Sequence, residues 1–103
     1  MTRDEFLDHA KNLVSGQRHV DYGDASVNFE RIASAWNWWL KDRLSDQITL
    51  SDVGMMMALL KMARLTNNRL HEDSFSDLLG YIALSGEMAL HHGVQEKEKS
   101  HAD

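Results

Sequence analysis

Lys61 and Arg64 stand three residues apart in an otherwise apolar stretch, and Asp73 and Asp77 follow four residues apart. On helices each pair occupies one face, a single turn from end to end. Folding these segments as an antiparallel hairpin about residue 69 brings positions equally distant from that centre together. Lys61 then meets Asp77, and Arg64 meets Asp73 and Ser74. Two readings fit such an arrangement. One is a structural ion network that fixes the register of two helices and adds little net stability. The other is a polar cleft that holds a phosphate or a phosphate-bound metal. Tyr81 lies one turn beyond Asp77, where its hydroxyl extends the cluster or finds a buried partner. The polar stretch Gln17 to Asp24 carries Arg18, His19, Tyr22 and Gly23, and the stretch Thr66 to Glu72 carries His71. Cations and an aromatic on a loop are candidate ligand-binding groups, because loops carry sites more often than spacers do.

Other chemistries are excluded or weakly supported. The chain has no cysteine, which removes disulfides, thiolate metal sites and cysteine nucleophiles. Its six histidines include no His-Glu-x-x-His and no pair spaced four apart, so zinc finds no preformed face. There is no nucleophile elbow and no glycine-rich phosphate loop. A net charge of −5 argues against a protein held on duplex nucleic acid by phosphate contacts. No uninterrupted apolar run approaches the ~18 residues of a membrane span. The N-terminus is charged at once and lacks the apolar core of a signal peptide. A cytoplasmic protein is the expectation.

The elements that position these residues are all helical. Proline is absent from the 103 residues, and apolar positions recur with helical spacing throughout. Thr2 opens a first helix to Ser15, with Glu5 at the capping-box position and Phe6, Leu7, Ala10, Leu13 and Val14 as its buried stripe. Ser26 opens a second, reaching Leu44, with Phe29, Ile32, Ala33, Trp36, Trp39 and Leu40 inward. Trp38 is left on another face, which makes it the favoured interface residue. The run Trp36-Asn37-Trp38-Trp39 is also a possible stacking platform for a base. Ser51 and Asp52 start the third helix, apolar nearly all round from Val53 to Leu65, as a helix surrounded by others would be. The fourth runs from about Asp73 to His92, with Phe75, Leu78, Leu79, Ile82, Leu84, Met88 and Ala89 as a broad buried face and Gly93 as its stop. Gly54, Gly80 and Gly86 sit inside helices, where close helix–helix approach is their expected reason. The domain expected is residues 1–93, an all-α four-helix bundle or helical array, followed by a charged, flexible tail over 94–103. The apolar third helix in so short a chain further implies a homo-oligomer, most simply a dimer.

The order of elements Arg18, Tyr22-Gly23, Asn28-Phe29, Trp36, Asp52-Val53, Lys61 to Arg64, His71 to Asp73 and Asp77 to Tyr81 resembles a family of small, mostly phage-encoded domains of unknown function. The chain's ending is similar to the nucleotide-modification-associated helical domain of phage genomes. A more distant resemblance reaches the MazG-like all-α nucleoside-triphosphate pyrophosphatases, which hold magnesium on Glu-Glu-x-x-Glu and Glu-x-x-Asp helices. What that resemblance implies here is a magnesium site at Glu30, Asp73 and Asp77. The second helix offers only Glu30, beside Arg31, and Asp73 and Asp77 are four rather than three apart, so the carboxylate set is incomplete. The expected function is therefore a phage-type accessory protein that binds a nucleotide or other phosphorylated ligand without robust catalysis. Its ligand would meet Arg18, Tyr22, Lys61, Arg64, His71 and Tyr81. Two alternatives stand beside it: a magnesium-dependent pyrophosphohydrolase, and a counter-defence factor that binds a host protein.

Overall fold

The computed structural model describes residues 1–16 and 25–100, with side chains as far as residue 91. Four helices account for the described elements: α1 (Arg3–Ser15), α2 (Ala25–Trp39), α3 (Leu50–Asn67) and α4 (Glu72–Ser100). There is no strand among the described residues. The fold is all-α, as the periodicity requires.

Helix α1 begins where local chemistry tells it to. The Glu5 N–H donates to the Thr2 hydroxyl, and the Thr2 N–H and hydroxyl both donate to the Glu5 carboxylate, closing a capping box. These bonds, the backbone N–H first and the hydroxyl second, hold the Glu5 carboxyl below its ordinary value. The box therefore stabilises the fold above the usual carboxylate range and stops doing so as pH falls through the lowered value. Melting curves of wild type and Glu5→Gln should accordingly differ at neutral pH and converge in acid. A difference that persisted in acid would show that Glu5 acts through something other than its charge.

Helix α3 starts two residues before the Ser51-Asp52 signal, because Thr49 forms a second capping box with Asp52. Helix α2 ends at Trp39 and passes into turns over 40–43, short of the expected Leu44. The reason lies in Asn37, whose side chain accepts from the Ile48 N–H (2.7 Å) and donates to the Ile48 carbonyl (3.1 Å). That two-bond clamp draws the connection back along α2 and lets Ile48 pack on the core. At the other end of the chain, α4 continues through Gly93 to Ser100. One interior glycine costs only ~1 kcal/mol, and the Gln, Glu and Lys residues beyond it favour helix.

Helices α3 and α4 form the antiparallel hairpin, α1 packs on α4, and α2 packs on α3. The core is built on Phe29, Ala33, Val53 and Met88, with Tyr81, Met57 and Trp36 packed against it. Small residues let the hairpin close. A Cβ on Gly54 would stand 2.7 Å from the Ser85 Cβ, and one on Gly80 would stand 3.2 Å from the Val14 Cγ1. Close approach thus explains Gly54 and Gly80. Gly86 is the exception, with nothing within 4 Å of its Cβ position.

Four expectations about the core are corrected, the first being Leu7, which is 56% exposed instead of buried in the α1 stripe. Trp39 is 76% exposed rather than inward, because α2 ends there. Helix α3 is not surrounded: only α2 and α4 pack on it extensively, and Met55, Met56, Leu59, Leu60 and Met62 remain exposed. The broad apolar face of α4 is likewise split, with Met88 buried while Phe75 and Ile82 are exposed.

Candidate functional site

The hairpin brings Lys61 and Asp77 together, Nζ to Oδ2 at 3.0 Å, with each side chain only 14% exposed. This pair is the centre of the candidate site. The equivalent pairing of Arg64 with Asp73 does not form: both are exposed, and no ion pair joins them. One turn farther toward the hairpin loop the helix faces have turned toward solvent, and two long flexible side chains gain little by meeting there. Arg64 is left presenting its guanidinium beside the half-buried Lys61.

Tyr81 is half-buried and stacks on Phe29, with ring centroids 6.3 Å apart. It ties α4 to α2, one turn beyond Asp77. Val14, near the end of α1, covers Gly80, and Phe29, in the first turns of α2, meets Tyr81. The end of α1 and the beginning of α2 therefore lie against adjoining turns of α4, next to Asp77. Arg18 and Tyr22, in the sequence between those helices, lie outside the described residues.

His71 has a different place. Its Nδ1 accepts the Ser74 N–H at 3.2 Å and lies 2.7 Å from the Ser74 hydroxyl, so it caps the N-terminus of α4. Of the expected metal ligands, Glu30 is exposed on α2 and Asp73 exposed on α4, while Asp77 is engaged by Lys61. Among the described residues no three His, Asp or Glu side chains converge on a metal-sized site.

Sequence reasoning set Ser74 against Arg64 and passed over Ser76 and Ser85; all three are buried serines of α4. Ser74 meets His71, Ser76 meets the His9 Nδ1 at 2.8 Å, and Ser85 donates to the Ser51 carbonyl at 2.6 Å. All three are at most 2% exposed. Their signal was present as small residues on the same helix as Gly80, at positions where neighbouring helices must come close. A shallow groove at the α2–α3 connection is lined by Asn37, Lys41, Leu44, Ser45, Asp46 and Gln47, none of which belongs to the expected site.

Four helices, an α3–α4 hairpin and a half-buried ion pair at its centre describe a small all-α domain. The chain belongs to the DUF6378 family, a domain of unknown function, whose match spans residues 5–89. It is similar to the Gene 55 protein of Mycobacterium phage L5, at 40% identity over 84 residues, which is 82% of this chain and 52% of that protein. It is also similar to the Gene 55 protein of Mycobacterium phage D29, at 36% identity over 78 residues, 76% of this chain and 49% of that one. The chain spans about half the length of these relatives. No solved structure matches it. Among the described residues no helix is long and apolar enough to cross a membrane.

Proposed function

We propose that this chain is a phage-type accessory protein that binds a phosphorylated ligand, a nucleotide foremost, at the Lys61 side of the α3–α4 hairpin and does not turn it over. The observation that supports this reading is the Lys61–Asp77 pair. A lysine held at 14% exposure gives up hydration, and its carboxylate partner fixes the ammonium in place. Beside it, Arg64 offers an exposed guanidinium whose planar fork suits phosphate oxygens. The sequence between α1 and α2 supplies Arg18 and Tyr22, a cation and a ring for stacking on a base, as further groups assigned to the ligand. His71 and Tyr81 contribute less directly, one by capping α4 and the other by bracing it on Phe29.

A MazG-like pyrophosphohydrolase would need Glu30, Asp73 and Asp77 to share a magnesium ion. With Asp77 given to Lys61 and the other two exposed, binding is favoured over hydrolysis. A second reading, a factor that binds a host protein in the bacterial cytoplasm, is favoured by Trp38 and Trp39, exposed 66% and 76% at the end of α2. Tryptophans in such positions are common anchors of protein interfaces.

The test is a thermal-shift panel of nucleoside triphosphates and cyclic nucleotides, with and without magnesium. A ligand present at 100 times its Kd adds about 2.7 kcal/mol to the stability of the folded state, and the same ligand should leave Arg64→Ala unshifted. Arg64 is exposed and unpaired with Asp73, so its removal leaves the fold alone. A panel without any shift would overturn the ligand reading. Released pyrophosphate over many turnovers, lost in Asp77→Asn, would establish the pyrophosphohydrolase instead.

A further inference from the structure

One face of the hairpin has no cover. On α4, Ser76 and Gly80 meet α1, while Tyr81 and Ser85 meet α2 and α3. On α3, Gly54 lies against both Ser85 and Phe29. Helical spacing then puts Met55, Leu59 and Met62 of α3 on the side turned away from α1 and α2, together with Ile82, Gly86 and Leu90 of α4. The five large side chains among these are 45–74% exposed. Neither the stretch from Val53 to Leu60 nor that from Leu78 to Gly86 contains a charged residue.

We infer that this face binds a second copy of the chain, hairpin against hairpin about a two-fold axis. The extent of the face points to that occupant. Five large apolar side chains, 45–74% exposed, run along both helices of the hairpin, the kind of contiguous apolar surface that marks a protein–protein interface. Composition points the same way: an uncharged face needs an uncharged partner, and a two-fold axis matches this one to itself. The monomer's own core is thin, with only six apolar residues buried among the described ones, so pairing two hairpins gives the protein a second, larger core. Gly86 fits this arrangement. The open space over it lets a partner helix come close, which accounts for a glycine that no contact within the chain explains. The interface lies on the opposite side of the hairpin from the proposed ligand site, and it moves the expected self-association from Trp38 to α3 and α4.

Sedimentation velocity on the full chain, from roughly 1 to 100 μM to bracket ordinary affinities, tests this directly. The expected mass is twice 11.8 kDa. Leu59→Glu and Ile82→Glu change exposed positions, so each should keep the helical circular dichroism and sediment as a monomer. Trp38→Ala should leave the dimer intact. A wild-type chain that stays monomeric across the range would overturn the inference and assign the face to another partner or to the further half of longer relatives. So would a dimer that survives both glutamate variants, or one abolished by Trp38→Ala.

Discussion

Gly54→Ala should destabilise the fold by about 2 kcal/mol although alanine is the better helix former. The methyl group would stand 2.7 Å from the Ser85 Cβ, 3.1 Å from the Ser85 Cα and 3.2 Å from the Phe29 ring. None of these is the end of a flexible chain that swings aside. Relief requires α3 and α4 to part, which stretches the 2.6 Å bond from Ser85 to the Ser51 carbonyl and loosens Phe29 in the core. Overpacking of this kind costs ~1–3 kcal/mol, while the propensity gain returns at most ~1 kcal/mol. In a chain of this size the net loss should lower Tm by roughly 10 °C. Gly86→Ala is the internal control, with both changes compared in the monomeric Leu59→Glu background because Gly86 lies on the proposed dimer face. The same methyl group there meets nothing within the chain, so the monomeric fold should hold or gain stability. Equal losses at both positions would show that backbone freedom, rather than the hairpin's closeness, sets the requirement.

The second large effect is expected at the ion pair. Asp77→Ala strands the Lys61 ammonium, which is only 14% exposed, a state costing about 2–3 kcal/mol, between the small value of surface pairs and the 3–5 kcal/mol of buried ones. Lys61→Ala takes its lysine contact from the Asp77 carboxylate and should cost less. Removing both residues should cost less than the two single losses together, because the contact they share is then lost only once. Chemical denaturation of the four proteins in a double-mutant cycle gives the coupling, expected at ~1–2 kcal/mol. Strict additivity would show that the two side chains contribute independently. The Arg64 and Asp73 cycle should show no coupling, since that pair does not form.

Much of the fold was legible because local signals and global packing agree. The Thr2 capping box, the helical period and the antiparallel register that meets Lys61 with Asp77 all follow from spacing alone. Spacing could not show which apolar residues would be covered. A helix apolar all round is compatible with burial or with an open face, and α3 has both: Val53 fully buried, Leu59 58% exposed. Trp39 was misplaced because the end of α2 depends on the Asn37 clamp, a contact eleven residues away in sequence. Ser76 and Ser85 escaped notice because a small polar residue shows no periodicity. Their hydroxyls are satisfied by partners distant in sequence, His9 at a separation of 67 residues and Ser51 at 34. At the candidate site, Lys61 and Asp77 were legible from register. The solvent exposure of Arg64 and the capping role of His71 depend on how the hairpin ends, which register does not specify.

The most direct test of the ligand site is an amide chemical-shift map of the protein titrated with inorganic pyrophosphate, and then with the nucleotide that gives the largest thermal shift. The account predicts saturable changes centred on residues 61–64 and 77–81, lost in Arg64→Ala, with the amides of Met55, Leu59 and Ile82 unmoved. Saturable changes centred on the open face of α3 and α4, or no change up to millimolar ligand, would contradict it.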